Sequence, residues 1–314
     1  MYHPFAFVFP GQGSQSAGML TVIAEYYELI PSTFAEASEA LGFDLWHMVQ
    51  HQADQLNLTA NTQPALLTAG VALWRLWQQQ GGTNPVALAG HSLGEYTALT
   101  CAQAISLADA VRLVTQRGEL MQQAVPVGSG AMAAIIGLNE QQVETACQQA
   151  AEGQVVAPAN YNAPDQVVIA GQAEAVKRAM TACQQAGARR TLPLPVSVPS
   201  HCELMRPAAV ELQQSLDQIP IAEPQLPVFN NVDGQTATDP TQIRQRLVEQ
   251  LYQPVQWVKL VKQMIASKGI NHLIECGPGR VLTGLGRRID RSLTLGTISA
   301  PEDFDRWLNE LQYP

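Results

Sequence analysis

Charge is scarce in this chain, and positive charge is scarcest. Only 14% of the 314 residues are charged, and 18 lysines and arginines stand against 27 aspartates and glutamates, for a formal net charge of −9. Such a surface repels polyphosphate unless its few cations are concentrated in one place, which argues against general nucleic-acid binding. Cysteine is sparse as well. Cys101, Cys147, Cys183, Cys202 and Cys276 lie far apart and form no C-x-x-C pair, so neither a zinc site nor a disulfide framework is expected. No uncharged apolar run approaches the roughly 18 residues of a membrane span. The opening "MYHPFAFVF" has neither the basic region nor the long apolar core of a secretory leader. These absences leave the expectation of a soluble protein of a reducing cytoplasm, with no metal and no permanently bound cofactor.

Hydrophobic residues, at 46%, are plentiful enough for a large core, and the length suits about two domains or one domain with an insertion. Short apolar runs, "FAFVF" (5–9), "PVALAG" (85–90), "LPVFNN" (226–231), "NHLIECG" (271–277) and "LTLGTI" (293–298), alternate with helical patterns. That alternation predicts an α/β fold, a hydrolase-like, mostly parallel sheet with helices on both faces. Between 128 and 196 the order changes to β-α-β-β-α-β, which predicts an inserted ferredoxin-like subdomain. The expected division is a large catalytic unit of residues 1–127 and 197–314 and a small unit of residues 128–196.

The stretch "PVALAGHSLGEY" places Ser92 between Gly90 and Gly94 where a strand turns into a helix. A G-x-S-x-G turn of this kind is a nucleophile elbow: the backbone is too tight for side chains at the flanking positions and lifts the hydroxyl into the open. The helix start also favours negative charge developing at the serine. A serine hydroxyl needs a base, usually histidine. His3 lies near a chain end, His47 and His51 sit in a short polar helical stretch, and His272 opens a strand. His91 adjoins the serine and points elsewhere, which suits packing. His201, in "PVSVPSHCELMRP", falls where the small unit returns to the large one, at a junction where clefts form. Ser200 and Glu203 fit a capping box that would put His201 on the first helical residue, where the helix dipole keeps imidazole neutral. Cys202 is the alternative nucleophile, but it has no elbow of its own. With no acid obviously placed to orient the histidine, a backbone carbonyl is a chemically sufficient substitute.

The oxyanion of acyl transfer needs two N–H donors. Leu93, after the nucleophile, offers one, and "FVFPGQGSQ" brings Gln12 between Gly11 and Gly13 as the natural second. The same "GQGSQS" prompts a dinucleotide-binding alternative, weakened because Ser16 replaces the third glycine of that fingerprint. Along "ADAVRLVTQRGELMQQA" helical spacing sets Arg117 in the apolar stripe of Ala110, Val111, Val114, Gly118 and Met121. An arginine cannot shed its charge, so it calls for an acceptor: a structural partner such as Glu95 or Glu119, or a substrate carboxylate.

Taken in order, "FVFPGQGSQ", "GHSLGEY", "QRGELM", "PVSVPSH", "NNVDG", "QLYQPVQW" and "ECGPGRVLTGL" resemble the malonyl-CoA:acyl-carrier-protein transacylases of dissociated bacterial fatty-acid synthesis, over almost the whole chain. The resemblance implies transfer of a malonyl group from malonyl-CoA, through a seryl ester, to the phosphopantetheine thiol of holo acyl carrier protein. It assigns nucleophile to Ser92, base to His201, malonyl-carboxylate anchor to Arg117 and oxyanion donors to the amides of Gln12 and Leu93. It also implies that the main-chain carbonyl of Gln250 orients His201 and that Asn160 and Asn162 line the cleft. Ser200 stands where some polyketide-synthase relatives carry a bulkier residue, and leaves malonyl against methylmalonyl open. The arginine doublets Arg189–Arg190 and Arg287–Arg288 are candidate docking patches for an acidic carrier. A serine thioesterase or hydrolase would use the same dyad, and a non-catalytic carrier-binding module would form no acyl adduct at Ser92.

Overall fold

The computed structural model describes residues 3–196 and 198–312. In chain order the elements are β1 (Phe5–Phe9), α1 (Thr21–Ala24), α2 (Leu29–Leu41), α3 (Leu45–His51), α4 (Ala53–Leu56), α5 (Thr59–Gln79), β2 (Ala87–Gly90), α6 (Leu93–Cys101) and α7 (Leu107–Gln123). Next come β3 (Gly130–Ile136), α8 (Glu140–Ala151), β4 (Val156–Ala163), β5 (Gln166–Gln172), α9 (Ala173–Gln185) and β6 (Arg190–Pro193). A 3-10 turn (Glu203–Met205) leads to α10 (Arg206–Gln218), β7 (Val228–Phe229), α11 (Pro240–Glu249), α12 (Trp257–Lys268), β8 (His272–Glu275), α13 (Val281–Ile289), β9 (Thr294–Thr297) and α14 (Pro301–Gln312).

The first sheet has the order β7-β2-β1-β8-β9, and all four pairings are parallel. Its central strand shows why both faces are covered. Phe5, Phe7 and Phe9 point into one apolar cluster with Trp74 and Trp77 of α5, and Ala6 and Val8 into another with Trp257, Leu260 and Leu282. Alternation by two sends each set to one side. Since both sides are apolar, the strand reads as a continuous hydrophobic run. The bulky phenylalanines pack edge-on against tryptophan, with Phe7 and Trp77 centroids 5.2 Å apart.

The second sheet, β4-β5-β3-β6, is antiparallel throughout and, with α8 and α9, gives the ferredoxin-like order. Asn139 and Gln142 form a reciprocal capping box at the start of α8. The antiparallel sheet is tied to the segment between α11 and α12 where the register of β4 shifts: Tyr161 donates to the Val255 carbonyl (2.9 Å) and Val255 to Ala159 (2.8 Å). This joint brings β4 beside the segment that follows α11, and the cleft lies against it. Among the described residues no helix is long and apolar enough to cross a membrane.

Candidate active site

Strand β2 ends at Gly90, helix α6 begins at Leu93, and Ser92 between them has φ 52° and ψ −110°. A Cβ on Gly90 would fall 1.8 Å from the Gly94 carbonyl carbon, and one on Gly94 would fall 2.0 Å from the Phe9 oxygen. Glycine is therefore required at both positions, and the serine carries the positive φ as stored strain. Asn231, just beyond β7, holds the bend from both sides: its Oδ1 accepts from the Ser92 amide and its Nδ2 donates to the Gly90 carbonyl, each at 2.6 Å.

His201 reaches the serine from the far side of the cleft. Its Nδ1–H donates to the Gln250 main-chain carbonyl at 2.6 Å, which leaves Nε2 unprotonated and 2.7 Å from Ser92 Oγ. Burial first, then the nearby Arg117 charge, push its pKa down to about 3, so the ring is neutral in ordinary buffers. The expected capping box does not form. Cys202 precedes the 3-10 turn without a side-chain cap, Glu203 pairs with Arg206 at 2.7 Å, and His201 lies outside any helix at φ 62°. Dehydration and a neighbouring cation, rather than a helix dipole, keep it neutral.

Arg117 is 2% exposed. Its Nη1 donates to Gln63 Oε1 (2.7 Å), and Nη2 to Gln250 Oε1 (3.1 Å) and Ser92 Oγ (3.3 Å), while the guanidinium lies 5.3 Å over the Tyr96 ring. Neither Glu95 nor Glu119 pairs with it. Every acceptor it touches is formally neutral, and its Nε has no partner. No carboxylate bonds this cation directly, since Glu95 reaches it only through Gln250, and the cleft is where an acid can enter.

The cleft measures about 600 Å³ and is lined by Gln12, Ser92, Leu93, Arg117, Asn160 and His201 among others. The loop after β1 presses on the elbow because residue 11 is glycine: a Cβ there would stand 2.5 Å from the His91 oxygen. Among the described residues the Gln12 and Leu93 amides have no hydrogen-bond partner in the chain. Asn160 faces the cleft from β4. Asn162, two residues on, instead bonds through Oδ1 to His91 Nε2 at 2.7 Å, while His91 packs 5.5 Å from Trp257. Among the described residues no group of three or more His, Cys, Asp or Glu is placed to hold a metal.

The arginine doublets meet in a separate open groove of about 1120 Å³, lined by Arg189, Arg190, Arg287, Arg288, Arg291 and Asp165 among others. Asp165 accepts from Arg189 and Arg288, both at 2.5 Å, so Arg288 also ties α13 to the turn between β4 and β5. Sequence reasoning missed Gln63, Asn231 and the side chain of Gln250, and it offered Glu95 only as a salt-bridge partner of Arg117. Glu95, Asn231 and Gln250 share one buried network behind the serine. The S-x-x-E spacing of Ser92 and Glu95 was the one available signal.

A profile for the acyl transferase domain matches residues 6–292. A malonyl CoA-acyl carrier protein transacylase of Salmonella typhimurium is 60% identical over 298 residues, 95% of this chain and 96% of the relative. The structure of a malonyl CoA-acyl carrier protein transacylase from Coxiella burnetii superposes with a TM-score of 0.98 at 49% identity, covering 100% of this chain and 99% of that one. A type II PKS acyl-carrier protein in complex with its malonyl-transacylase gives 0.96 at 52%, covering 98% and 99%. By sequence and by fold this chain belongs to the acyl transferase family, among the malonyl CoA-acyl carrier protein transacylases, and is an acyltransferase.

Proposed function

We propose that the protein moves a malonyl group from malonyl-CoA to the phosphopantetheine thiol of a holo acyl carrier protein, by way of an ester on Ser92. The observation that carries this reading is a serine hydroxyl 2.7 Å from a neutral imidazole, in one cleft with a buried arginine that no carboxylate bonds directly. Ser92 Oγ attacks the thioester carbonyl as its proton passes to His201 Nε2, and Arg117 Nη2 favours the charge that grows on the oxygen. The carbonyl oxygen, now negative, accepts from the Gln12 and Leu93 amides. Collapse breaks the C–S bond, and His201 returns the proton to the departing CoA thiol. In the second half the carrier's thiol gives its proton to His201, attacks the seryl ester, and Ser92 leaves as the restored alcohol. The malonyl carboxylate pairs with Arg117 throughout.

In this reading residues 1–127 and 197–314 form the catalytic unit, residues 128–196 wall the cleft, and the enzyme works in the cytoplasm with no permanent cofactor. Asn160 faces the acyl chain and Asn162 steadies His91. The five-arginine groove receives the acidic carrier. Intact-mass analysis after brief exposure to malonyl-CoA tests the reading: the wild type gains one malonyl group, Ser92→Ala gains none, and holo carrier removes the adduct by taking it up. Loss of the adduct to water at a rate indifferent to carrier would make the protein a hydrolase.

A further inference from the structure

Glu95 sits on the first turn of α6, 2% exposed, three residues after the nucleophile. That spacing is the one at which a glutamate accepts from its own helix cap, yet the Ser92 N–H donates to Asn231 instead. The carboxylate faces the other way. A single oxygen, Oε2, accepts from the Asn231 amide at 2.9 Å and from Gln250 Nε2 at 2.7 Å. Both donors are fully buried. Asn231 is the residue that holds the Ser92 bend, and Gln250 reaches three parts of the site: Nε2 also donates to the Ser92 carbonyl (3.0 Å), Oε1 accepts from Arg117, and the main-chain oxygen accepts from His201.

An amide has two ends, and their order matters here. Two acceptors, Glu95 Oε2 and the Ser92 carbonyl, draw the NH₂ end of Gln250 to one side and so turn its oxygen toward Arg117. The reverse orientation would set two donors against a guanidinium that has only donors, and leave an oxygen facing a carboxylate.

We infer that Glu95 is a positioning residue for the transfer reaction: through Gln250 and Asn231 its carboxylate fixes the serine bend, the aim of Arg117 and the carbonyl that orients His201. The inference rests on the Ser92–His201 reading above. The groups facing the carboxylate are Arg117 from α7, Asp233 from the turn after β7, which is itself paired with Arg246 of α11 at 2.7 Å, and Tyr96 from its own helix; His91 and His201 flank the serine beyond. Burial raises the Glu95 pKa to about 7, against the pull of the Gln250 and Asn231 bonds and of Arg117. The carboxylate therefore changes charge near neutral pH. Oε2 is already occupied by two donors, so an added proton goes to Oε1 and weakens the hold on Gln250.

Two variants test this. Glu95→Gln keeps an oxygen that can accept both bonds but carries no charge, and Glu95→Ala removes the acceptor. Rates are measured from pH 5.5 to 8.5, normalised to correctly folded enzyme, with malonyl-CoA and holo carrier. The wild-type rate should fall as pH drops through about 7. In Glu95→Gln that inflection should vanish, and the rate should stay near the wild-type acid plateau. Glu95→Ala should lose about 10- to 100-fold, with kcat falling and KM for malonyl-CoA rising together, because two buried donors lose their acceptor. Persistence of the inflection in Glu95→Gln, or a normalised Glu95→Ala rate within about twofold of wild type, overturns the inference. The two readings fail separately: absence of any malonyl adduct on wild-type Ser92 defeats the catalytic reading, whereas a normal adduct in enzyme indifferent to residue 95 defeats this one alone.

Discussion

Arg117 is held by Gln63, Gln250 and Ser92, all neutral, and is itself buried. A buried guanidinium whose direct hydrogen-bond partners are all neutral, with Glu95 reaching it only through Gln250, is incompletely compensated, and this makes the site selective for a ligand that brings a free acid into contact with it. Replacing Arg117 by Ala should cut malonyl transfer about 10- to 100-fold more than acetyl transfer, the equivalent of about 1.5–3 kcal/mol for a charge-assisted bond to the free acid. Parallel steady-state assays with malonyl-CoA and acetyl-CoA check this, and equal losses would make the arginine structural. Two further residues give opposite pH signatures in stability. His201 titrates near 3 folded and near 6.5 unfolded, so the unfolded chain binds the extra proton and the stability His201 contributes is lost as pH falls through that window. Glu95 titrates near 7 folded and near 4.5 unfolded, so its contribution is lost as pH rises through that window. The Tm of Glu95→Gln, measured against wild type, should therefore rise relative to it between pH 5 and pH 8. A difference that stays constant or shrinks would place the Glu95 titration elsewhere. Ser92, His201 and Arg117 stood out in the sequence because each residue type is chemically conspicuous in its setting: a hydroxyl between glycines, an imidazole at a junction, a cation in an apolar stripe. Gln63, Asn231 and Gln250 did not, since a neutral amide leaves no periodic or charge signal and its role depends on which end faces which neighbour.

At the scale of elements, the seating of α6 against β1 decides whether the serine is presented at all. The glycines at 90 and 94 let helix and strand approach to a distance no side chain allows. Gly94→Ala should lower stability by about 3 kcal/mol or more, since the added methyl meets the backbone of Phe9 and not a movable side chain. Gly284, within α13, has open space around its position and provides the control: Gly284→Ala should stabilise by about 0.4–1 kcal/mol. Urea unfolding midpoints compare the two. The strands and the β-α-β-β-α-β order were legible because period-two and period-3.6 patterns of apolar residues encode them directly. The turn carrying His201 was not. Its S-x-x-E spelling matches a helix cap, but Glu203 is taken by Arg206, the helix starts only at Arg206, and the backbone at 201 is held at positive φ by a bond from its amide to the Leu251 carbonyl, 3.0 Å long. That bond comes from a segment 50 residues away, and local spelling carries no trace of it.

For the molecule as a whole, the distribution of charge matters more than its sum. A chain of net charge −9 gathers five arginines around a single aspartate in one open groove. Asp165 neutralises part of Arg189 and Arg288, and Arg288 also donates to Gln166, so these side chains brace the β4–β5 turn against α13. Arg190, Arg287 and Arg291 remain to project positive potential. The groove is joined to the cleft along one strand: Arg189 and Arg190 lie at the start of β6, while Leu194, Pro195 and Val196 just beyond its end line the cleft. A partner held by its acidic face at the groove would thus have a path along β6 for a flexible arm to reach Ser92. Opposite charges at this range act mainly on encounter and are screened beyond about 8 Å at physiological salt. The paired reversal Arg190→Glu with Arg287→Glu should raise KM for holo carrier on the order of tenfold at low salt, with a difference from wild type that shrinks as salt rises. The first half-reaction, acylation of Ser92 by malonyl-CoA, should suffer less than delivery to the carrier. Stopped measurements of the two half-reactions across a salt series separate these effects. A reversal that slows both halves equally, or one whose effect ignores salt, would move the docking surface away from this groove.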